Sequence, residues 1–250
     1  MAGTVMHRSH LPLQEWFWAA YLVATHTPGI SAHQLQRQLG ISSDTTAWHL
    51  LHRLRKAMVS DARTKLSGLI EADETFIGGP VKGKKGRGVI EAPNVSLVIG
   101  AVEVRSYVDK KAQAQERAGR LRLQLITNAN AELIKSFMLC NVEPGSTIRT
   151  DGWTGYSKTA LADYKHTRQV QGAPENARRL APHIHRVFGN LKTWLNGTHH
   201  GVDPKYLPSY LDEYIFRFNR RQTPMAAFQT LLGISLQKTP LPLNELQAAV

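Results

Sequence analysis

Ser67-Gly-Leu-Ile-Glu-Ala-Asp73 alternates small or apolar residues with polar ones, and the run breaks at Gly78-Gly79-Pro80. Strand side chains point to opposite faces with period two, so the pattern predicts a strand with Asp73 at its polar end. Ser146-Thr-Ile-Arg-Thr-Asp151 repeats the arrangement and breaks at Gly152. Two carboxylates at the ends of two strands can hold divalent metal against phosphate.

The surrounding chain is basic. Its 250 residues include 31 Lys+Arg against 19 Asp+Glu, a formal net charge of +12. Solubility is one explanation of that excess and phosphate binding is the other. Basic charge around an acidic metal site points to an enzyme acting on a polyanion, with nucleic acid the first candidate. The hydrophobic fraction of 42% is ordinary for a globular protein, and the length suits one large domain plus a small one. The lone cysteine, Cys140, excludes a disulfide framework and a thiolate zinc site within this sequence. Its apolar surroundings, Leu133 to Cys140, predict a small core residue. No apolar stretch approaches the ~20 residues that span a bilayer. The N-terminus lacks the layout of a signal peptide, so the expected location is cytoplasmic and no membrane partner is expected.

Residues 11–60 read as three helices. Pro12 suits a first turn, Trp16, Ala20 and Val23 fall at helical spacing, and Pro28-Gly29 ends the helix. Ser31 is placed to cap Ala32–Leu39, and Gly40 breaks that helix. Ser42 or Ser43 caps a third helix over Asp44–Val59, with Ala47, Leu50, Leu51, Leu54 and Met58 as its apolar stripe. The outline is that of a helix-turn-helix, with a plain helical hairpin as the alternative. The polar run Thr45, Thr46, His49, Arg53, Arg55 and Lys56 favours DNA contact through Thr45, His49 and Arg53.

Residues 82–91 mix glycine with Lys82, Lys84, Lys85 and Arg87, a basic loop suited to phosphates, or a solvated loop only. Strands are predicted at 95–104, 121–126 and near 164–170. Helices are predicted at 129–140, near 153–161, 178–196 and 208–221, and after Pro224. The resulting fold class is α/β. The element order resembles a ribonuclease-H-like mixed sheet flanked by helices, preceded by a small all-helical region. The expected divisions are 1–64, 65–233 and a tail, 234–250.

In-line attack on a phosphodiester needs an activated oxygen and a stabilised leaving oxygen, which two metal ions held by carboxylates provide. Magnesium, with manganese as the other candidate, keeps several waters and needs few protein ligands. Asp73 is placed to bridge the metals and Asp151 to bind one. The helix expected to bring a third ligand, Arg178 to Leu195, contains no carboxylate, and its best oxygen donor is Asn190. Spacing groups Asn190 with His183 and Arg186, so Arg186 is placed to reach phosphate. A solvent-facing Asn190 is the alternative. His185, His199 and His200 are weighed as transition-metal ligands against bonds to backbone or phosphate. Glu213, Arg217 and Arg220 share a helical face, as an ion pair that stabilises the helix, a phosphate clamp oriented by Glu213, or both.

Three stretches together resemble the prokaryotic insertion-sequence transposases of the ISXO type: Ser67 to Gly79, Thr150-Asp-Gly-Trp-Thr-Gly-Tyr156, and His185 to Val202. Tyr210 to Arg221 is similar to that family's Glu-x3-Arg-x2-Arg motif, and the likeness runs from about Ala2 to Gly233. The resemblance implies a DDE-superfamily enzyme with a catalytic set of Asp73, Asp151 and Asn190, accompanied by Lys192. It implies metal-dependent cutting and joining of element ends, DNA ends and target DNA as partners, and a homo-oligomer on DNA. Family members usually carry a cysteine-rich zinc ribbon ahead of a segment like Ala2–Pro12, so here the helix-turn-helix is expected to recognise the ends. The rival from another class is a truncated copy that binds element ends through residues 11–60 and represses intact copies. A second is a nuclease of the same fold without strand transfer.

If several lysines and arginines neutralise phosphates, affinity for duplex DNA falls by roughly 10³-fold or more between about 50 and 200 mM salt. Fluorescence anisotropy of the full chain on labelled duplex measures this, and a flat salt profile contradicts phosphate binding.

Overall fold

Local caps set the first helices. The computed structural model describes residues 2–60, 63–78, 94–151, 153–168 and 181–240. The basic loop at 82–91, with Lys84 and Lys85, lies outside them. Helix α1 (Leu13–Thr25) starts directly after Pro12. Helix α2 (Ala32–Leu39) starts at Ser31, whose hydroxyl accepts the Gln34 N–H at 3.2 Å. It ends at Gly40, whose φ of 68° is the left-handed conformation that glycine adopts most readily. Helix α3 (Asp44–Ala57) follows.

The chain divides into two compact units, one of residues 1–63 with 193–250 and the other of residues 64–192. In the first, α1 to α3 pack with α6 (Leu207–Asn219) and α7 (Pro224–Gln237). Trp16, Ala20, Val23, Leu35, Leu50, Leu54, Phe216 and Leu231 share its core. Residues 193–233, expected in the catalytic domain, thus cluster with the N-terminal helices. The apolar stripes of α1 and α3 need cover, and α6 and α7 supply it.

One charge in this core departs from expectation. Arg55, grouped from the sequence with the polar run of α3 that favours DNA contact, is 1% exposed and donates to Glu213 of α6 at 2.8 Å. Its guanidinium also lies 3.8 Å from the centre of the Tyr210 ring. Arg217, four residues after Glu213, donates to the carbonyls of His26 and Thr27, where the chain leaves α1. That is where a helix presents unsatisfied carbonyls and favours positive charge.

The second unit is a five-stranded sheet of order β3-β2-β1-β4-β5. Strands β1 (Leu69–Gly78), β2 (Val95–Val108) and β3 (Ala114–Ile126) are antiparallel neighbours. Strands β4 (Thr147–Thr150) and β5 (Lys165–Arg168) add in parallel beyond β1. Helix α4 (Ala131–Asn141) is capped by Asn130, whose side chain accepts the Leu133 N–H at 2.9 Å. Its Ile134, Phe137 and Met138 share a core with Ile70, Ala72, Leu97, Ile99, Ala101 and Ile148 of the sheet. Cys140 is exposed, a correction to the expected core position. It lies two residues beyond Met138, about 200° further round the helix.

Helix α5 (Pro182–His199) meets the other face of the sheet. A Cβ added to Gly100 of β2 would lie 2.9 Å from the Phe188 ring, so only glycine lets the helix settle there. The mixed sheet with helices on both faces is ribonuclease-H-like, with a helical region ahead of it. Strand β1 runs past Asp73 to Gly78, because its pairing with β2 continues where that with β4 stops. The segment 153–161 forms turns rather than the expected helix.

Glu103 of β2 fastens the outer part of the sheet. It accepts hydrogen bonds from Arg120, Arg105 and the Ser67 N–H. Burial alone raises its pKa, but these donors outweigh burial and hold it down at about 2, against 4.5 for the free group. A depressed folded-state pKa adds stability above the unfolded value, which is lost as pH falls through the folded one. Wild type is therefore expected to lose stability as pH falls from 4.5 toward 2, and Glu103→Gln to show a weaker slope there. Urea unfolding across that range measures both, and equal slopes contradict the assignment.

Candidate functional site

The two aspartates belong to neighbouring parallel strands, Asp73 within β1 and Asp151 just past β4. Leu69 pairs with Thr147, Ile70 with Ile148 and Glu71 with Arg149. Paired residues of parallel strands point to the same face, and the Glu71 and Arg149 side chains do meet, at 3.2 Å. Asp73 and Asp151 each follow two residues after that last pair. Asp73 is 6% exposed and faces Gly100 on β2. Asp151 is half-buried just past the end of β4, where its Oδ1 accepts the Trp153 N–H at 3.0 Å.

Helix α5 is held over this pair by Glu71. One oxygen of the fully buried Glu71 carboxylate accepts the backbone N–H groups of His183 and Ile184, at 2.7 and 3.0 Å. The other lies 2.9 Å from His183 Nδ1 and 3.2 Å from Arg149 Nη1. A carboxylate at a helix N-terminus satisfies orphan N–H groups and complements the helix dipole. Glu71 lies two residues before Asp73 on the same strand face, so one strand holds both the helix anchor and the site acid.

Past the anchor, His185 presents its ring to the site, with Nδ1 3.4 Å from Asp73 Oδ2. Lys192 joins it. Burial lowers the pKa of Lys192, and the Asp73 charge opposes that fall. At about 100° per residue, Lys192 lies about 20° from His185 around the helix, whereas Asn190 lies about 140° away. Asn190 and Arg186 are both exposed. The structure thus brings Asp73, His185 and Lys192 to one region. Sequence spacing had weighed His185 only beside His199 and His200. The missed signal was the seven-residue interval from His185 to Lys192, two turns of one helix face.

The remaining candidates are distributed as follows. Thr45 is exposed on α3, and His49 and Arg53 are half-buried there. Arg53 donates to the His7 carbonyl at 3.2 Å. Glu213 is fully buried against Arg55, and Arg217 lies 3.5 Å from its other oxygen. The Arg220 guanidinium stacks 4.1 Å from the Phe216 ring centre, and burial lowers its pKa. His199 packs edge-on against Trp194 and Tyr210, and burial pushes its pKa down to about 4.

Two groups of side chains bear on metal binding. Among the described residues, Glu71, Glu116 and His183 are the one group of three whose ligand atoms lie within 4.8 Å of one another. Arg149 already occupies that group, bonding Glu71 at 3.2 Å and Glu116 at 3.1 and 3.2 Å. With an arginine inside and the Glu71 oxygens engaged, the cluster is a helix anchor. Asp73 and Asp151 offer the oxygen donors a hard divalent cation takes, His185 Nδ1 lies 3.4 Å from Asp73, and Nε2 of His185 is buried without a hydrogen-bond partner among the described residues. These residues fit such a cation.

Among the described residues no helix is long and apolar enough to cross a membrane. The sheet order and the aspartate pair define an α/β chain of the ribonuclease-H-like class. The family model of the ISXO2-like transposase domain matches residues 65–219, and the chain belongs to that family. It is a transposase, a nucleic-acid-processing enzyme whose family works on DNA with divalent metal. Comparison with curated proteins gave no match.

Glu71→Ala leaves two helix N–H groups, His183 and Arg149 without their acceptor, and is expected to cost about 3–5 kcal/mol of stability. Glu116→Ala removes a partly exposed partner and is expected to cost about 1 kcal/mol or less. Urea unfolding with and without a chelator measures both. A metal-dependent loss in either variant would make the cluster a cation site instead.

Proposed function

We propose that this protein cleaves the ends of an insertion sequence and joins them to target DNA, with Asp73 and Asp151 as its metal-holding acids. The observation that supports this reading is that β1 and β4 are parallel neighbours whose last pair, Glu71 and Arg149, lies two residues before each aspartate, while the Asp73 charge acts on Lys192 of α5. A bound divalent cation supplies charge neutralisation and an activated attacking oxygen. Asp73 is nearly buried and rigid in its strand, so its oxygens are held in place before substrate arrives. Asp151 stands at the open strand end, where it is half exposed to an incoming phosphate. Lys192 extends from α5 on the same side, and its ammonium pairs with the phosphate that the acids would otherwise repel. The resemblance offers Asn190 of α5 for the third position, but its exposed placement does not support that role. Magnesium is the expected cation and manganese the alternative. DNA recognition falls to α2 and α3 through Thr45, His49 and Arg53. Arg186 and Arg220, with Lys84 and Lys85, are proposed to extend the DNA contact. Arg217 is taken up by the His26 and Thr27 carbonyls and stays outside that set, and the active form is a homo-oligomer on DNA in the cytoplasm.

Asp73→Ala and Asp151→Ala are each expected to lower end cleavage by at least about 10³-fold, while affinity for the same duplex stays within about twofold. Single-turnover cleavage of labelled duplexes carrying the element's terminal repeats, with parallel anisotropy titrations, measures both. Cleavage at the wild-type rate by Asp73→Ala overturns the assignment.

A further inference from the structure

The ring of His185 is the least explained polar group around Asp73. A histidine that serves packing alone places its ring nitrogens against protein hydrogen-bond partners. His183, two residues earlier in the same helix, does so: its Nδ1 lies 2.9 Å from Glu71. His185 does not. Its Nδ1 lies 3.4 Å from Asp73 Oδ2, long for a charge-assisted hydrogen bond. Its Nε2 is buried with no hydrogen-bond partner among the described residues.

That separation suits two donors sharing one ion. Two ligand atoms each about 2.1 Å from a cation lie roughly 3.0–3.4 Å apart when the angle at the cation is about 90–110°. The helix cannot easily turn another residue to this position. Its rotation is set by the Glu71 cap at one end and by Phe188 seated on Gly100 beside Asp73. With that rotation, Asn190 faces about 140° away from His185. Lys192 shares the His185 flank but lies about 10.5 Å further along the axis, so it need not compete for the same point.

We propose that His185 and Asp73 together hold one divalent cation, and that His185, rather than Asn190, is the ligand α5 contributes. This deepens the reading above and rests on Asp73 being a metal-holding acid. An imidazole nitrogen changes which cation the site prefers. Magnesium favours oxygen donors, whereas first-row transition ions accept nitrogen readily. The site therefore selects manganese over magnesium more strongly than an all-oxygen site does.

The test is Mn²⁺ binding to the full chain, followed by electron paramagnetic resonance, for wild type, Asp73→Ala, His185→Ala, His185→Asp and Asn190→Ala. Wild type labelled with ¹⁵N-histidine is expected to show an imidazole nitrogen coupling to bound Mn²⁺, a readout that needs no variant. His185→Ala is expected to lose that coupling and to bind Mn²⁺ about 10-fold or more weakly. His185→Asp is expected to bind without the coupling and with less preference for Mn²⁺ over Mg²⁺. Asn190→Ala is expected to keep both affinity and coupling. If Mn²⁺ binds in an Asp73-dependent way but shows no histidine coupling, or Asn190→Ala alone weakens it, the assignment of His185 is overturned while the aspartate site stands. If wild type and Asp73→Ala bind Mn²⁺ equally, the aspartate site itself falls and the proposal with it.

Discussion

The Glu71 carboxylate at the N-terminus of α5 is the contact on which the arrangement of the site depends. A carboxylate with no solvent exposure has to find donors, or its burial would cost several kcal/mol. It finds two helix N–H groups, the His183 ring and Arg149. Those bonds fix where the helix begins, how it is rotated and which strand it lies over. Because Glu71 and Asp73 share one face of β1, the anchor and Asp73 cannot drift apart. Phe188 on Gly100 fixes the next turn in the same sense, and a side chain at position 100 would lift it.

The helical unit shows how a strongly basic chain uses part of its charge internally. Arg55 is spent in the core against Glu213, and Arg217 satisfies carbonyls at the end of α1. Both are bonds between elements far apart in sequence. A buried arginine with a carboxylate partner demands a defined geometry in a way that an apolar side chain does not, since misplacing either leaves an uncompensated charge. A net charge of +12 therefore overstates the basic surface presented to DNA. Thr45, Lys56, Arg186 and Lys192 are among the residues that remain exposed on α3 and α5.

Much of the fold was legible along the chain because its signals are local. Period-two alternation marked β1 and β4, Ser31 and Gly40 bounded α2 at the residues observed, and the order of elements matched a ribonuclease-H-like sheet. Asp73 and Asp151 stood out for the same reason, as acids closing apolar runs. What failed did so at the boundaries of local logic. The segment 153–161 carries helix-compatible residues, yet forms turns between two strands of the sheet. Cys140 sits in an apolar run but falls beyond the buried stripe of its helix.

Sequence spacing by itself determined which residues share a face of a helix or strand, and it marked two acids on two strands and a helix expected to oppose them. It did not determine which face of that helix meets the acids. Periodicity gives relative angles only, and the absolute rotation of α5 is a tertiary quantity set by the Glu71 cap and the Phe188–Gly100 contact. That rotation turned His185 toward Asp73 and left Asn190 exposed. The burial of Arg55 was invisible for a like reason, because its partner Glu213 lies 158 residues away and only the packed helices bring the two charges together.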